Sequence, residues 1–274
     1  RVLNNKGEIS EATRQKVLSV IEALSYMPHV PAQRLGTGES RTVALLYPLL
    51  YLGNQPINLL ELDFIVGAAT AAGEENYFFN LLALPVTQES LLGMYRTAQV
   101  DGVVLMQIHL HDWRVDQLRE HHYPFVMIGR CADNTDLSLI DLDFEGALLV
   151  AFDYLVELGH RRIGFLAYPA DMRQDGFGPA VRSMAGYQKA LQKHALAECC
   201  REVHFNLQSM FEATLELFAQ EPGLTAIVIS HDVAVFGVLR ALRHLERRVP
   251  EDVSIIGVTT DRVAELLTPP LTAI

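Results

Sequence analysis

DFEGALLVAFDYLVELGHRRIGFLA, residues 143–167, decides the fold of this chain. Residues 144–158 read as a helix and residues 163–166 as a short, continuously apolar strand. The same alternation extends outward in both directions. Apolar strand candidates lie at 43–47, 78–82, 102–106, 125–128, 163–166, 226–229 and 254–257. Helical stretches at 60–72, 89–98, 115–121, 144–158, 180–194, 211–219 and 233–245 accompany them. Continuous apolar strands alternating with helices specify parallel sheets covered on both faces. Two such units fit, joined near Leu142-Asp143. The fold class is α/β. In open parallel sheets ligands sit beyond the carboxyl ends of the strands, so the cleft between two such lobes is the expected ligand site.

The first forty residues read differently. They suggest the tail of one helix, a turn, a second amphipathic helix and a short basic-apolar helix. Ser10 is a good N-cap for a helix running to about Ser25. Val17, Val20, Ile21 and Leu24 mark one face, with Arg14 and Lys16 away from it. Pro28 and Pro31 interrupt the pattern, Ala32 to Leu35 can form one helical turn, Gly36 and Gly38 end it, and 37–41 reads as a polar linker. A helical headpiece ahead of a long α/β body is the layout expected of a ligand-controlled DNA-binding protein.

At 274 residues the chain is long enough for one large or two medium cores. Its net charge of −11 is unevenly spread. Residues 1–42 hold six Lys/Arg and four Asp/Glu, whereas the remainder holds 16 and 29. A basic end on an acidic body limits non-specific contact by the body while the end meets phosphates. No apolar run is long enough for a membrane span, and no leader is evident, so a cytoplasmic location is expected. Cys131, Cys199 and Cys200 make no disulfide framework and read as reduced, the adjacent pair as a loop at a helix end.

Several chemical motifs fail on geometry. Ser230, His231 and Asp232 are adjacent and cannot converge on one reacting atom. His109, His111 and Asp112 lack a second ligand cluster at metal-site spacing and read as a polar loop, as do His121 and His122. Gly176-Phe177-Gly178 is followed by no Lys-Ser/Thr and is no phosphate loop. Neither an enzyme, a metal site nor a cofactor is expected.

Six phrases in order carry a resemblance: residues 1–35 (RVLNNKGEISEATRQKVLSVIEALSYMPHVPAQRL), DGVVLM at 101–106, LVELGHRRIGFLA at 155–167, MAGYQKAL at 184–191, VPEDVSIIG at 249–257 and PPLTAI at 269–274. On these the chain closely resembles the lac repressor family of transcriptional regulators (LacI/GalR type). The resemblance implies a two-lobed, periplasmic-binding-protein-like (type I) core preceded by a partial helix-turn-helix headpiece and a hinge helix. Its expected divisions are 1–41 for headpiece and hinge, 42–142 for the first lobe and 143–274 for the second. It further implies a homodimer on double-stranded operator DNA, acting as a repressor, with a small-molecule effector such as a sugar or nucleobase between the lobes. By the same resemblance the family's first helix would precede Arg1, and its chain would recross to the first lobe after Ile274. A free-standing small-molecule binding protein of the same fold is the alternative, and the hinge sequence argues against it.

The resemblance also assigns residues. Arg1, Asn4, Ser10 and Thr13 would lie near phosphates or groove edges, while a cap and surface polarity is the plainer reading of Ser10 and Thr13. Ala32 and Leu35, three apart, can both face the minor groove while Arg34 reaches the backbone, with Leu35 as the wedge at a base step. In the cleft, Met106 and Gln107 end a strand and would line the floor, and Arg130 would fork onto a polar ligand or bridge the mouth. Asp143 would accept from ligand hydroxyls or cap the following helix, and His231 would face the ligand. Two positions depart from the family pattern. Ser183 stands where an Arg is common, with Arg182 one residue earlier, and Thr259 stands where an Asp is common. Both weaken an ordinary sugar subsite.

Overall fold

Ser10 opens the first helix, α1 (Glu11–Ala23): its backbone is extended, and its hydroxyl accepts from the Thr13 amide at 3.3 Å. The structure, a computed structural model, describes residues 10–24, 39–47, 59–83, 85–204, 206–231 and 234–274. It divides into two compact units, residues 1–41 and 42–274. Helix α1 belongs to the first. Arg14, Val17 and Ile21 are its half-buried residues, whereas Val20 and Leu24 are exposed. The half-buried stripe therefore runs 14–17–21, and Arg14, expected off the stripe, shares its face. Arg1, Asn4, Ala32, Arg34 and Leu35 lie outside the described residues.

The second unit contains two five-stranded, all-parallel sheets. The first is built from β1 (Thr42–Leu46), α2 (Leu59–Glu74), β2 (Phe78–Leu82), α3 (Gln88–Arg96), β3 (Gly102–Leu105), α4 (Trp113–Glu120), β4 (Phe125–Ile128) and β5 (Leu139–Ile140), in the strand order β2-β1-β3-β4-β5. Residues 141–143 then lead to α5 (Phe144–Glu157), β6 (Ile163–Ala167), α6 (Ala170–Gln174), α7 (Gly178–His194), β7 (Cys200–Glu202) and α8 (Leu207–Gln220). The chain continues through β8 (Ala226–Ile229), α9 (Ala234–His244), β9 (Ser254–Gly257), α10 (Asp261–Leu266) and β10 (Thr272–Ala273). The second sheet is ordered β10-β9-β8-β6-β7.

Both sheets therefore place their second strand outside their first and their third on the other side. The chain reverses direction across each sheet between β1 and β3, and between β6 and β8. Helices cover both faces because successive side chains point oppositely. Ala44, Leu46, Val103 and Leu105 pack on one side of the first sheet with Leu91, Val115 and Leu118, while Leu45 and Val104 face Tyr47, Ile65 and Met106 on the other. In the second lobe Leu166, Ile227 and Ile229 join Met210, Leu217 and Val238, while Phe165, Ala226 and Val228 meet Leu148, Phe152 and Tyr187.

Five elements were not legible in the sequence. Strands β5, β7 and β10 have two or three residues, too few to show a pattern, and α6 and α10 are single short turns. Among the described residues strand β2 is an edge strand pairing β1 alone, and Phe78 and Leu81 are exposed. Cys200 begins β7 rather than lying in a loop, and the Cys199 amide donates to the Tyr187 hydroxyl at 2.8 Å.

The LGHRR turn pins three elements. Gly159, at φ +97°, lets the chain leave α5, and the amides of Gly159 and His160 return to the carbonyls of Val156 and Leu155. His160 then meets the hydroxyls of Thr225 (Nδ1, 2.8 Å) and Ser254 (Nε2, 3.1 Å), at the starts of β8 and β9. Burial holds this imidazole below its ordinary pKa, so the folded state favours the neutral ring. Its contribution is complete above about pH 6.5 and is lost as pH falls through the lowered folded value. The urea midpoint of wild type should therefore exceed that of His160→Gln by more at pH 7.5 than at pH 5. An equal or reversed difference would remove His160 from the acid sensitivity of the fold.

Candidate effector cleft

Loops leaving the carboxyl ends of both sheets converge on one cleft. From the first lobe it is lined by Leu60, Glu61 and Phe64 of α2, by 106–108 after β3, by Ile128 and Gly129 at the end of β4, and by Asp141 and Leu142. From the second come Phe144, Tyr168 after β6, Met172, Phe177, Pro179, Ser230 and His231 after β8, and Val258 after β9. The space is about 830 Å³, counted out to its open mouth. Residues following β3, β6 and β8 sit where each sheet reverses its winding, the place where side chains diverge and leave a crevice.

The floor is held by a buried ion pair. Asp112 caps α4 and also holds Arg114, whose Nη2 lies 2.6 Å from Asp112 Oδ2; the two side chains are only 3% and 7% exposed. The same Nη2 donates to the carbonyls of Met106 and Gln107, both at 3.1 Å. Those contacts keep Gln107 at φ +53°, a left-handed conformation costly for a residue with a side chain. Gly129 faces this turn at φ +118°, and a Cβ there would lie 3.0 Å from Ile108 Cγ1. Burial would raise the Asp112 pKa, but hydrogen bonds from Arg114 and its charge outweigh it and hold the carboxyl below its usual range.

Gln107 Nε2 approaches Glu61 Oε1 at 3.4 Å, and the buried Tyr47 hydroxyl donates to Glu61 Oε2 at 2.6 Å. Burial and the neighbouring Glu61 push the Tyr47 phenol well above its ordinary pKa, so it remains a donor. Opposite lies an aromatic wall. Tyr168 makes edge contacts with Phe144, Phe177 and His231 at centroid separations of 6.4, 5.8 and 6.4 Å.

One side of the cleft is bridged by backbone. The Leu110 amide donates to the Gly176 carbonyl (2.8 Å) and the Gly178 amide to the Ile108 carbonyl (3.0 Å), with His109 and Phe177 paired antiparallel between them. Arg182 of α7 adds hydrogen bonds to the carbonyls of Arg130 (2.8 Å) and Cys131 (3.0 Å). On α2, Asp63 lies 3.5 Å from Arg262 of α10.

Sequence reasoning and structure differ in detail. Met106, Gln107 and His231 line the cleft. Arg130 bridges at its margin, with Nε 3.1 Å from Asp141 Oδ2 and Nη2 3.6 Å from Asp143 Oδ1. The Nε–Oδ2 approach is an ion pair without hydrogen-bond alignment, for both atoms lack a hydrogen-bond partner. Asp143 is mostly exposed and caps α5 through the Gly146 amide at 3.1 Å. Three expected ligand residues stand elsewhere. Arg182 ties the lobes together, Ser183 is buried with its hydroxyl on the Ala180 carbonyl, and Thr259 is buried outside the lining. One helical residue is a rotation of about 100°, which turns Ser183 into the α7 core. The residues missed were Glu61, Asp141 and the aromatics. Tyr168 carried a positional signal because it directly follows β6, whereas Asp141 follows β5, which is too short to show in the sequence.

The arrangement is that of a two-lobed, cleft-binding α/β core carrying a separate N-terminal helical unit. Residues 152–274 match the periplasmic binding protein-like domain, and residues 1–29 match the bacterial regulatory proteins of the lacI family. The regulator CelR of Thermobifida fusca is 32% identical over all of this chain and 81% of its own length. The repressor PurR of Salmonella arizonae is 31% identical over all of this chain and 79% of its own length. A structure of a CelR–cellobiose complex superposes with a TM-score of 0.72 at 29% identity, covering 100% of this chain and 81% of that one. The Lac repressor bound to ONPG superposes at 0.80 over the same shares; at 23% identity it speaks for the fold alone. The chain belongs to the lacI family and is a DNA-binding transcriptional regulator, not an enzyme. No helix among the described residues is long and apolar enough to cross a membrane.

Proposed function

We propose that this regulator acts as a cytoplasmic homodimer on a pseudo-palindromic operator, and that a sugar-type effector in the cleft controls its grip on DNA. The observation that carries the reading is the convergence of the loops after β3, β6 and β8 on one cleft whose lining mixes aromatic and polar groups. A relative supports it: the solved CelR complex holds cellobiose. In this reading 1–41 form the headpiece and hinge, 42–142 the first lobe and 143–274 the second. Arg1, Asn4, Ser10, Thr13 and Arg34 meet phosphates or groove edges, with Ala32 and Leu35 in the minor groove. Ser10 combines that role with its cap, since the Thr13 amide already uses its hydroxyl. Met106, Gln107 and His231 contact the effector directly, joined by Glu61 and Asp141. Arg130, Asp143 and Arg182 act at the margin by setting the angle between the lobes, and Ser183 and Thr259 support from within the second lobe. Effector and operator then change each other's affinity by the same factor.

The test is an operator titration by the full-length regulator across a salt series. Affinity should fall by roughly one log unit per log unit of salt for each phosphate contact. A cellobiose-class sugar should shift the whole line without changing its slope. A flat salt response would count against operator binding, and a line unmoved by any sugar against the effector.

A further inference from the structure

We infer that the cleft selects an uncharged, hydroxyl-rich ligand whose hydroxyls donate to Glu61 and Asp141, and that it rejects phosphorylated and carboxylated sugars. This rests on the reading that a small molecule occupies the cleft. Its formal charges point one way. Glu61 and Asp141 line it, and none of the described lining residues is Lys or Arg.

The nearby arginines are committed, Arg114 to Asp112 and to the carbonyls of Met106 and Gln107. Arg130 lies on Asp141 and Asp143, and Arg182 on the carbonyls of Arg130 and Cys131. An anion drawing on either would have to break contacts that hold the lobes. With Arg130 already spent on Asp141 and Asp143, a phosphate or carboxylate in the cleft finds no uncommitted cation among the described residues and meets repulsion from Glu61 on top of the loss of its hydration. Sugar hydroxyls have the opposite fit. Carboxylates are acceptors only, so each hydroxyl that donates to Glu61 or Asp141 makes a charge-assisted bond. Asp141 Oδ2 is buried and meets Arg130 Nε as an ion pair without an aligned hydrogen bond, so it retains the capacity to accept from a ligand hydroxyl. Tyr47 and Gln107 orient Glu61 from behind, and Phe64, Phe144, Tyr168 and Phe177 supply flat apolar faces for the ring. The departure from the family pattern at Ser183 and Thr259 is thereby explained: the polar grip lies on the first lobe and the crossover.

The experiment is calorimetric titration of the full-length protein with cellobiose, glucose and their anionic congeners cellobionate, glucose 6-phosphate and glucuronate. At least one neutral sugar should bind, with its anionic congener about 100-fold weaker. Glu61→Gln keeps an oxygen for the Tyr47 hydroxyl and should leave the ligand-free melting temperature within about 2 °C. It should weaken the neutral sugar about tenfold and narrow the gap to its congener. Anionic sugars binding as tightly as neutral ones would overturn the selectivity while leaving an occupied cleft. A neutral sugar whose binding ignores both Glu61→Gln and Tyr168→Ala would overturn the cleft reading itself. A panel in which no sugar binds would overturn the hydroxyl-rich class.

Discussion

Arg114→Ala should destabilise the second unit by about 3–5 kcal/mol, because it strands a buried carboxylate. Asp112 and Arg114 are both nearly inaccessible, so solvent cannot replace the lost partner. The substitution also removes the donor to the Met106 and Gln107 carbonyls, which leaves the left-handed Gln107 without its clamp. For a domain of this size, 3–5 kcal/mol lowers the melting temperature by roughly 6–20 °C. Arg114→Lys keeps a charge but cannot span the carboxylate and two carbonyls at once, so it should recover only part of the loss. The acid limb offers a second readout. The Asp112 pKa is lowered on folding, so the pair contributes fully above the usual carboxylate range, and that contribution is lost as pH falls from this range through the lowered folded value. Urea denaturation at pH 7 and pH 4 should therefore show a larger gap between wild type and Arg114→Ala at the higher pH. A gap below about 1 kcal/mol at pH 7 would mean that this pair behaves as an exposed one.

Gly186→Ala should destabilise by about 1–3 kcal/mol, against the usual preference of helices for alanine. Gly186 lies within α7, and a Cβ there would come within 2.5 Å of the Glu145 carbonyl oxygen and 2.9 Å of Leu148 Cβ. Both neighbours belong to α5, so the helices touch backbone to backbone at this glycine. The methyl can be accommodated only by parting α5 from α7. That separation would loosen Phe152 from Tyr187, whose ring centroids are 5.5 Å apart in the core they share. Gly93→Ala is the control. It lies in α3 with nothing within 4 Å of its Cβ and should gain up to about 1 kcal/mol. Melting curves should move in opposite directions for the two variants. A stabilised Gly186→Ala would show that the helix contact yields at little cost.

Gly186 also shows where sequence and structure part. The MAGYQKAL phrase pointed to family membership, but its physical reason appears only when α5 is seen lying on the glycine. The strand–helix alternation, the parallel sheets and the capping residues Ser10 and Asp143 were legible because they depend on local pattern: period, apolar run and short polar side chains ahead of helices. So was the family, since its phrases are contiguous in sequence. Two-residue strands escaped because β5 and β10 exist only through a neighbouring strand. The cleft escaped in part because its lining joins α2, five strand ends and the crossover, residues up to about two hundred positions apart. Direction settled the rest. Arg182 spans the lobes, Ser183 one step on turns into the core, and Glu61 enters the cleft because Tyr47 and Gln107 hold it there. Local pattern determined the longer elements, the two-lobed α/β class and the family, whereas tertiary packing decided which polar groups are spent on structure and which remain to meet a ligand.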